Sequence, residues 1–142
     1  MKIIPKNLYI LIISKNLVWF FGLLSGVSKR AKGSAFFPFI FVKSEELIQP
    51  WLIIHERIHF RQQLETLFIG SILLSIFEKL YAHFILKKSW FDSYLYSSGE
   101  QEAYLNQSNS EYLKSRRIWS QFSYIKNKRQ FVLGNPGEVI FK

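Results

Sequence analysis

Two hydrophobic patterns share this chain, one with helical spacing and one of short unbroken apolar runs. Residues 1–30 are apolar with scattered cations and fit helix or strand equally, until Gly22, Ser25 and Gly26 interrupt them. Residues 29–34 read as a polar loop. The run Ala35-Phe36-Phe37-Pro38-Phe39-Ile40-Phe41-Val42 is aromatic and β-branched, which predicts a strand. Pro38 lacks an amide donor, so that strand belongs at a sheet edge or carries a bulge. Pro50 suits the first position of a helix with Gln49 ahead of it, and the pattern carries that helix to about Glu65. Residues 66–88 predict a second helical segment, continuous with the first or broken near Gly70. On it Ser71, Ser75, Lys79, His83 and Lys87 recur every four residues, a polar stripe on an otherwise apolar helix. A third helix is expected over 99–117, with 119–124 continuing or following it. Gly134-Asn135-Pro136-Gly137 is a turn signature between short apolar runs, so the tail predicts a small hairpin.

Together these elements describe a mainly α (α+β) fold with a short β element ahead of the principal helix. At 142 residues the chain reads as one domain, 1–142. It divides into a basic apolar N-terminal segment (1–34), a core (35–126) and a tail (127–142).

Charge narrows the class of partner. The formal net charge is +9, and residues 1–44 hold seven cations (Lys2, Lys6, Lys15, Lys29, Arg30, Lys32, Lys43) with no acid. A second acid-free stretch, 114–129, carries Lys114, Arg116, Arg117, Lys126, Lys128 and Arg129. Such segments attract an anionic membrane surface or nucleic acid. Hydrophobic residues at 49% and aromatics at 18%, with Trp and Tyr beside aliphatic runs, favour the membrane surface. Nucleic acid is the weaker expectation. Neither apolar run is a good bilayer crossing: residues 8–27 contain Lys15 and Asn16, and 67–77 is too short for a roughly 30 Å hydrocarbon core. Lying against the membrane is the expected mode. The cluster around Arg116 reads as a solvated basic face.

The absence of cysteine excludes disulfides, thiolate metal sites and a cysteine nucleophile. What remains is His55-Glu56-Arg57-Ile58-His59, which holds two of the three histidines of the chain. Imidazoles four residues apart share a helical face and can grip one metal ion, while the intervening glutamate can take a proton from a water there. A catalytic zinc needs a third ligand and one open position. Glu100, in Gly99-Glu100-Gln101-Glu102-Ala103-Tyr104, is the best source, if the chain doubles back between two antiparallel helices. Glu102 is the next choice, with its own bland reading of a solvated acid or a salt bridge to Arg57 or Arg61. Asp92, Glu78, His83 and Glu111 are weaker.

His55-Glu56-x-x-His59 followed by Glu100-x-x-Ala103 resembles the gluzincin metallopeptidases, and the Glu-x-Glu-Ala form is similar to their membrane-bound branch of CAAX-prenyl and HtpX-type proteases. The stretch from His55 to Glu65, with Pro50 before it and Glu100-x-Glu102-Ala103-Tyr104 after it, also looks like small Bacteroidetes proteins. The resemblance covers roughly residues 35–115. It implies a zincin-like helical core, Zn2+ held by His55, His59 and Glu100, and Glu56 as the catalytic base. The implied function is a zinc metallopeptidase acting on a peptide or protein substrate, associated with the bacterial inner membrane. The pattern departs at Tyr104, where gluzincins carry an aspartate that supports a histidine ligand. His83, Tyr94, Tyr96 and Arg61 are equal candidates for stabilising the transition state. The alternative is a non-catalytic membrane-associated protein. It would have no metal, or a structural zinc closed by His83 or Glu102.

Overall fold

Alternate residues of the N-terminal strands point to opposite faces, and a helix covers each face. The computed structural model describes residues 1–27, 29–135 and 137–142. Strands β1 (Lys2–Lys6) and β2 (Tyr9–Ile13) form an antiparallel hairpin, and helix α1 (Lys15–Leu24) follows, its first turn capped by Ser14. Strands β3 (Gly33–Phe36) and β4 (Phe39–Val42) form a second hairpin. β4 lies parallel to β2, giving the order β1-β2-β4-β3. Leu11, Ile40 and Val42 pack against Leu52 and Phe60 on one face, and Ile12 and Phe41 pack against Val18 of α1 on the other. The sheet is therefore sandwiched between α1 and α2 (Pro50–Glu65).

The single strand expected over 35–42 is in fact a hairpin. Phe37-Pro38 is a cis peptide in the turn between β3 and β4, so the missing amide of proline costs no ladder bond. β4 consequently sits inside the sheet and β3 takes the edge. Within the N-terminal segment, β1 and β2 build half of the sheet, and α1 supplies one wall of the site.

α2 begins at Pro50, as its sequence implies, and ends at Glu65. Leu67 and Phe68, at φ +52° and +64°, turn the chain by 111° into α3 (Ile69–Phe84). The break thus falls just before Gly70. Among the described residues no single helix is long and apolar enough to cross a membrane; the bent α2–α3 pair has the length and composition only when taken together. Beyond α3 the expected long third helix is divided. α4 (Trp90–Tyr96) has no counterpart in the sequence pattern, and α5 (Ser98–Asn106) stops eleven residues early. A short α6 (Tyr112–Ser115) and α7 (Ser120–Lys126) complete the helical part. The mainly α, α+β class holds. The tail forms the expected hairpin, β5 (Phe131–Leu133) with β6 (Val139–Phe141). Pro136 of its turn signature lies outside the described residues.

Candidate metal centre

α2 carries His55, Glu56 and His59, with the first two buried to 5% and 4% exposure. α5 packs across α2 and presents Glu100 from its first turn. The start of α5 is fixed from α3, where buried Glu78 accepts hydrogen bonds from the Ser98 amide (2.8 Å) and hydroxyl (2.7 Å). Lys128 neutralises Glu78 on its other oxygen. Glu78 is thus spent on holding Glu100 in place and is not itself a ligand.

The three candidate ligands converge. His55 and His59 Nε2 are 3.2 Å apart, and each lies 3.4 Å from an oxygen of Glu100. Among the described residues this is the group of His and acid side chains whose donor atoms meet closely enough to share one ion. A tetrahedral zinc with bonds of roughly 2.0–2.1 Å separates its ligand atoms by roughly 3.3 Å. The Nε2–Nε2 spacing matches one edge of that tetrahedron; the two 3.4 Å distances run to different oxygens of Glu100, and with one donor per residue the three atoms lie within 4.8 Å of one another. Glu100 Oε2 is buried without a hydrogen-bond partner, a further sign that a cation belongs there.

Two glutamines aim the imidazoles. The Gln62 amide nitrogen donates to the Gly99 carbonyl (3.1 Å) and to Glu102 Oε2 (2.8 Å). Its oxygen therefore faces His59 Nδ1 at 2.8 Å, and that nitrogen must carry hydrogen. Gln107 repeats the device, donating to the Gly137 carbonyl (3.2 Å) and accepting from His55 Nδ1 (2.9 Å). Both Nε2 lone pairs are thereby directed at the common point. Sequence reasoning missed both glutamines, although spacing held a signal. Gln62 lies one turn beyond His59, and Gln107 two turns beyond Glu100. Tyr104, at the position of the gluzincin aspartate, packs its ring edge against His55 at 4.5 Å between centroids and leaves Nδ1 to Gln107.

Electrostatics follow from burial and proximity. Burial works against a charged His59, but the adjacent Glu100 carboxylate outweighs it and pushes the imidazole up to about 9. Burial would raise Glu100, yet the two imidazoles hold it well below the usual carboxylate range. Burial raises Glu56, against the pull of both histidines and with added push from Glu100. Without metal, the proximity of Glu100 thus favours a protonated His59 beside an ionised carboxylate.

Glu102 is neither solvated nor bonded to Arg57 or Arg61. It is fully buried and accepts from Arg116 Nε (2.6 Å), the Tyr112 hydroxyl (2.8 Å) and Gln62. Arg116 also pairs with Glu65, so the expected solvated basic face is at this position a buried ion cluster. That cluster orients Glu102, which orients Gln62, which orients His59. The remaining sequence candidates lie elsewhere. Asp92 pairs with Ser89 at the start of α4, Glu111 with Lys114, and His83 stacks on Trp90 at 3.8 Å while donating from Nδ1 to the Lys88 carbonyl. Neither His83 nor Glu102 joins the three donors to close a fourth position.

A cavity of about 430 Å³ opens on the site, lined by His55, Glu56, His59, Glu100, Tyr94 and Lys79 with walls from α1, β3 and α3. Burial pushes the Tyr94 phenol well above its ordinary value, and neighbouring Glu100 adds to the effect, so it stays protonated. Burial lowers Lys79, against the pull of Glu100. Of the four residues weighed as transition-state stabilisers, Tyr94 is the one that lines this cavity. Against the Glu56 carboxylate lies Gly33 of β3, where a Cβ would come within 2.7 Å of Oε1.

In comparisons with known proteins, no family model, no curated protein and no solved structure matches the chain.

Proposed function

We propose that the protein is a metal-dependent peptidase, with Zn2+ held by His55, His59 and Glu100 and Glu56 as the catalytic base. The observation that carries this reading is the convergence of three donor atoms, one each from His55, His59 and Glu100, within 4.8 Å of one another at the wall of a cavity. Two imidazoles and a carboxylate suit zinc, though the same donors accept other first-row ions. A divalent ion in this set polarises a carbonyl and makes water a better nucleophile near neutral pH.

The chain's own groups supply the rest. Glu56 takes the proton of the attacking water and returns it to the departing amine, from a buried position on the cavity wall between the two histidines. The Tyr94 phenol, kept protonated, can donate to the carbonyl oxygen as that atom gains charge. β3 pairs with β4 alone, and its residues Gly33 to Phe36 line the cavity. Gln63 takes the Ala35 carbonyl and the Phe37 amide, so the backbone that this edge strand offers an extended peptide is that ahead of Ala35; such an edge supports a polypeptide substrate over a small metabolite.

Zinc content and hydrolysis of a fluorogenic peptide pool, measured on wild type, His59→Ala, Glu100→Ala and Glu56→Gln, test the proposal. One equivalent of zinc is expected in wild type and in Glu56→Gln, and a loss in the two ligand variants. Glu56→Gln should lose about 10²–10⁴-fold in turnover. A folded, metal-supplemented wild type without zinc would sink the reading. Full activity in Glu56→Gln would remove the assigned base.

A further inference from the structure

α3 is turned inside out relative to a helix of a protein bathed only in water. Its polar stripe, Ser71, Ser75 and Lys79, lines the cavity with His59 and Glu100. The opposite face bears Leu73, Phe77, Leu80 and Phe84, with Leu73 61% and Phe77 69% exposed. In an aqueous protein the apolar stripe faces the core and the polar one faces solvent. Across the cavity, α1 does the same with Trp19, Phe20, Leu23 and Leu24 outward. Leu24, Phe36, Ile72 and Ile76 both line the cavity and stand exposed, so they mark its mouth between the two helices. Exposed apolar side chains gathered on two helices around one opening mark a docking face.

Charge selects the occupant. Residues 1–44 contain no acid, and between 66 and 91 the one acid is Glu78, buried and paired with Lys128. Exposed Lys15 starts α1, exposed Lys29 and Arg30 follow it, and exposed Lys87 follows α3. The apolar faces are thus bordered by cations without an exposed carboxylate on either helix. A second copy would bring the same cations against themselves at a net charge of +9 per chain. An anionic bilayer satisfies both features, taking the apolar side chains into its acyl boundary and the cations at its headgroups. Trp19 and Trp90, half exposed, suit the same boundary.

We propose that the outward faces of α1 and α3 dock into an anionic lipid surface and hold the cavity mouth against it, so that the site receives a polypeptide segment presented from the bilayer. The lipid contact stands by itself; only the substrate clause rests on the peptidase reading.

The test is sedimentation of the full metal-loaded chain with phosphatidylglycerol–phosphatidylcholine vesicles and with phosphatidylcholine alone, for wild type, Leu73→Glu/Phe77→Glu and Leu73→Ser/Phe77→Ser. Metal content and circular dichroism report whether each variant is folded. Wild type should partition onto the anionic vesicles at least about tenfold better than onto neutral ones, and more weakly at high salt. Both double variants should lose that binding about tenfold or more while keeping metal. Wild type remaining in the supernatant, or folded double variants sedimenting like wild type, would overturn the proposal. So would a solution dimer of wild type that the variants dissociate while vesicle binding is unaffected. Vesicle binding by a chain that holds no zinc would leave the docking face standing and overturn the peptidase reading instead.

Discussion

On the proposed metal site, metal and proton would compete for the same point between His55, His59 and Glu100, so zinc affinity should follow pH steeply. With both Nδ1 atoms committed to Gln62 and Gln107, the proton that charges His59 in the metal-free protein sits on Nε2, facing Glu100. His59, raised to about 9, reports how tightly that proton is held. Below that pH zinc must expel it, and apparent affinity should fall about tenfold per unit. At pH 7 the handicap is on the order of 100-fold. Isothermal titration across pH 6.5–9.5, in buffers of different ionisation enthalpy, should find about one proton released per zinc at neutral pH and none well above 9. The sign for the metal-free fold is the reverse. The His59 pKa lies above its ordinary 6.5, so the stability it contributes is complete below 6.5 and lost as pH rises through about 9. The shift amounts to on the order of 3 kcal/mol, shared with Glu100. Flat zinc affinity from pH 6.5 to 9.5, or no proton release, would refute the shared site.

The supporting groups lead to three further outcomes. Gln62→Leu and Gln107→Leu, which keep side-chain bulk but release the imidazoles, should each weaken zinc binding about 10–100-fold, read by competition with a chelating dye. Arg116→Met strands Glu65 and Glu102 as buried like charges and should cost about 3–5 kcal/mol in chemical denaturation; a loss under 1 kcal/mol would show that the cluster is solvated. Gly33→Ala should push the Glu56 carboxylate aside, lowering peptide turnover about tenfold or more with zinc content unchanged.

Elements whose information is local were legible in the sequence. Pro50 can open a helix and cannot sit within one, so the start of α2 followed from proline itself. The four-residue spacing of His55 and His59 placed them on one face before any fold was known. The tail hairpin followed from its turn residues. Errors gathered where distant partners decide. Pro38 was read as an edge-strand residue because a strand and a tight hairpin of the same apolar residues differ only in how the chain closes. Glu102 and Arg116, fourteen residues apart, look solvated singly; burial follows only when α2, α5 and α6 bring Glu65 beside them.

The sequence by itself determined the pair of histidines, the glutamate between them, the helix that presents them and the acid-free basic character of residues 1–44. Only the tertiary structure decided that Glu100 completes the set and that two glutamines aim the imidazoles. It also decided that α3 turns its polar stripe toward the site and its apolar face outward. Helical periodicity fixes which residues share a face, because 3.6 residues per turn is a property of the backbone. What each face meets depends on packing between segments far apart in the chain, which periodicity does not encode.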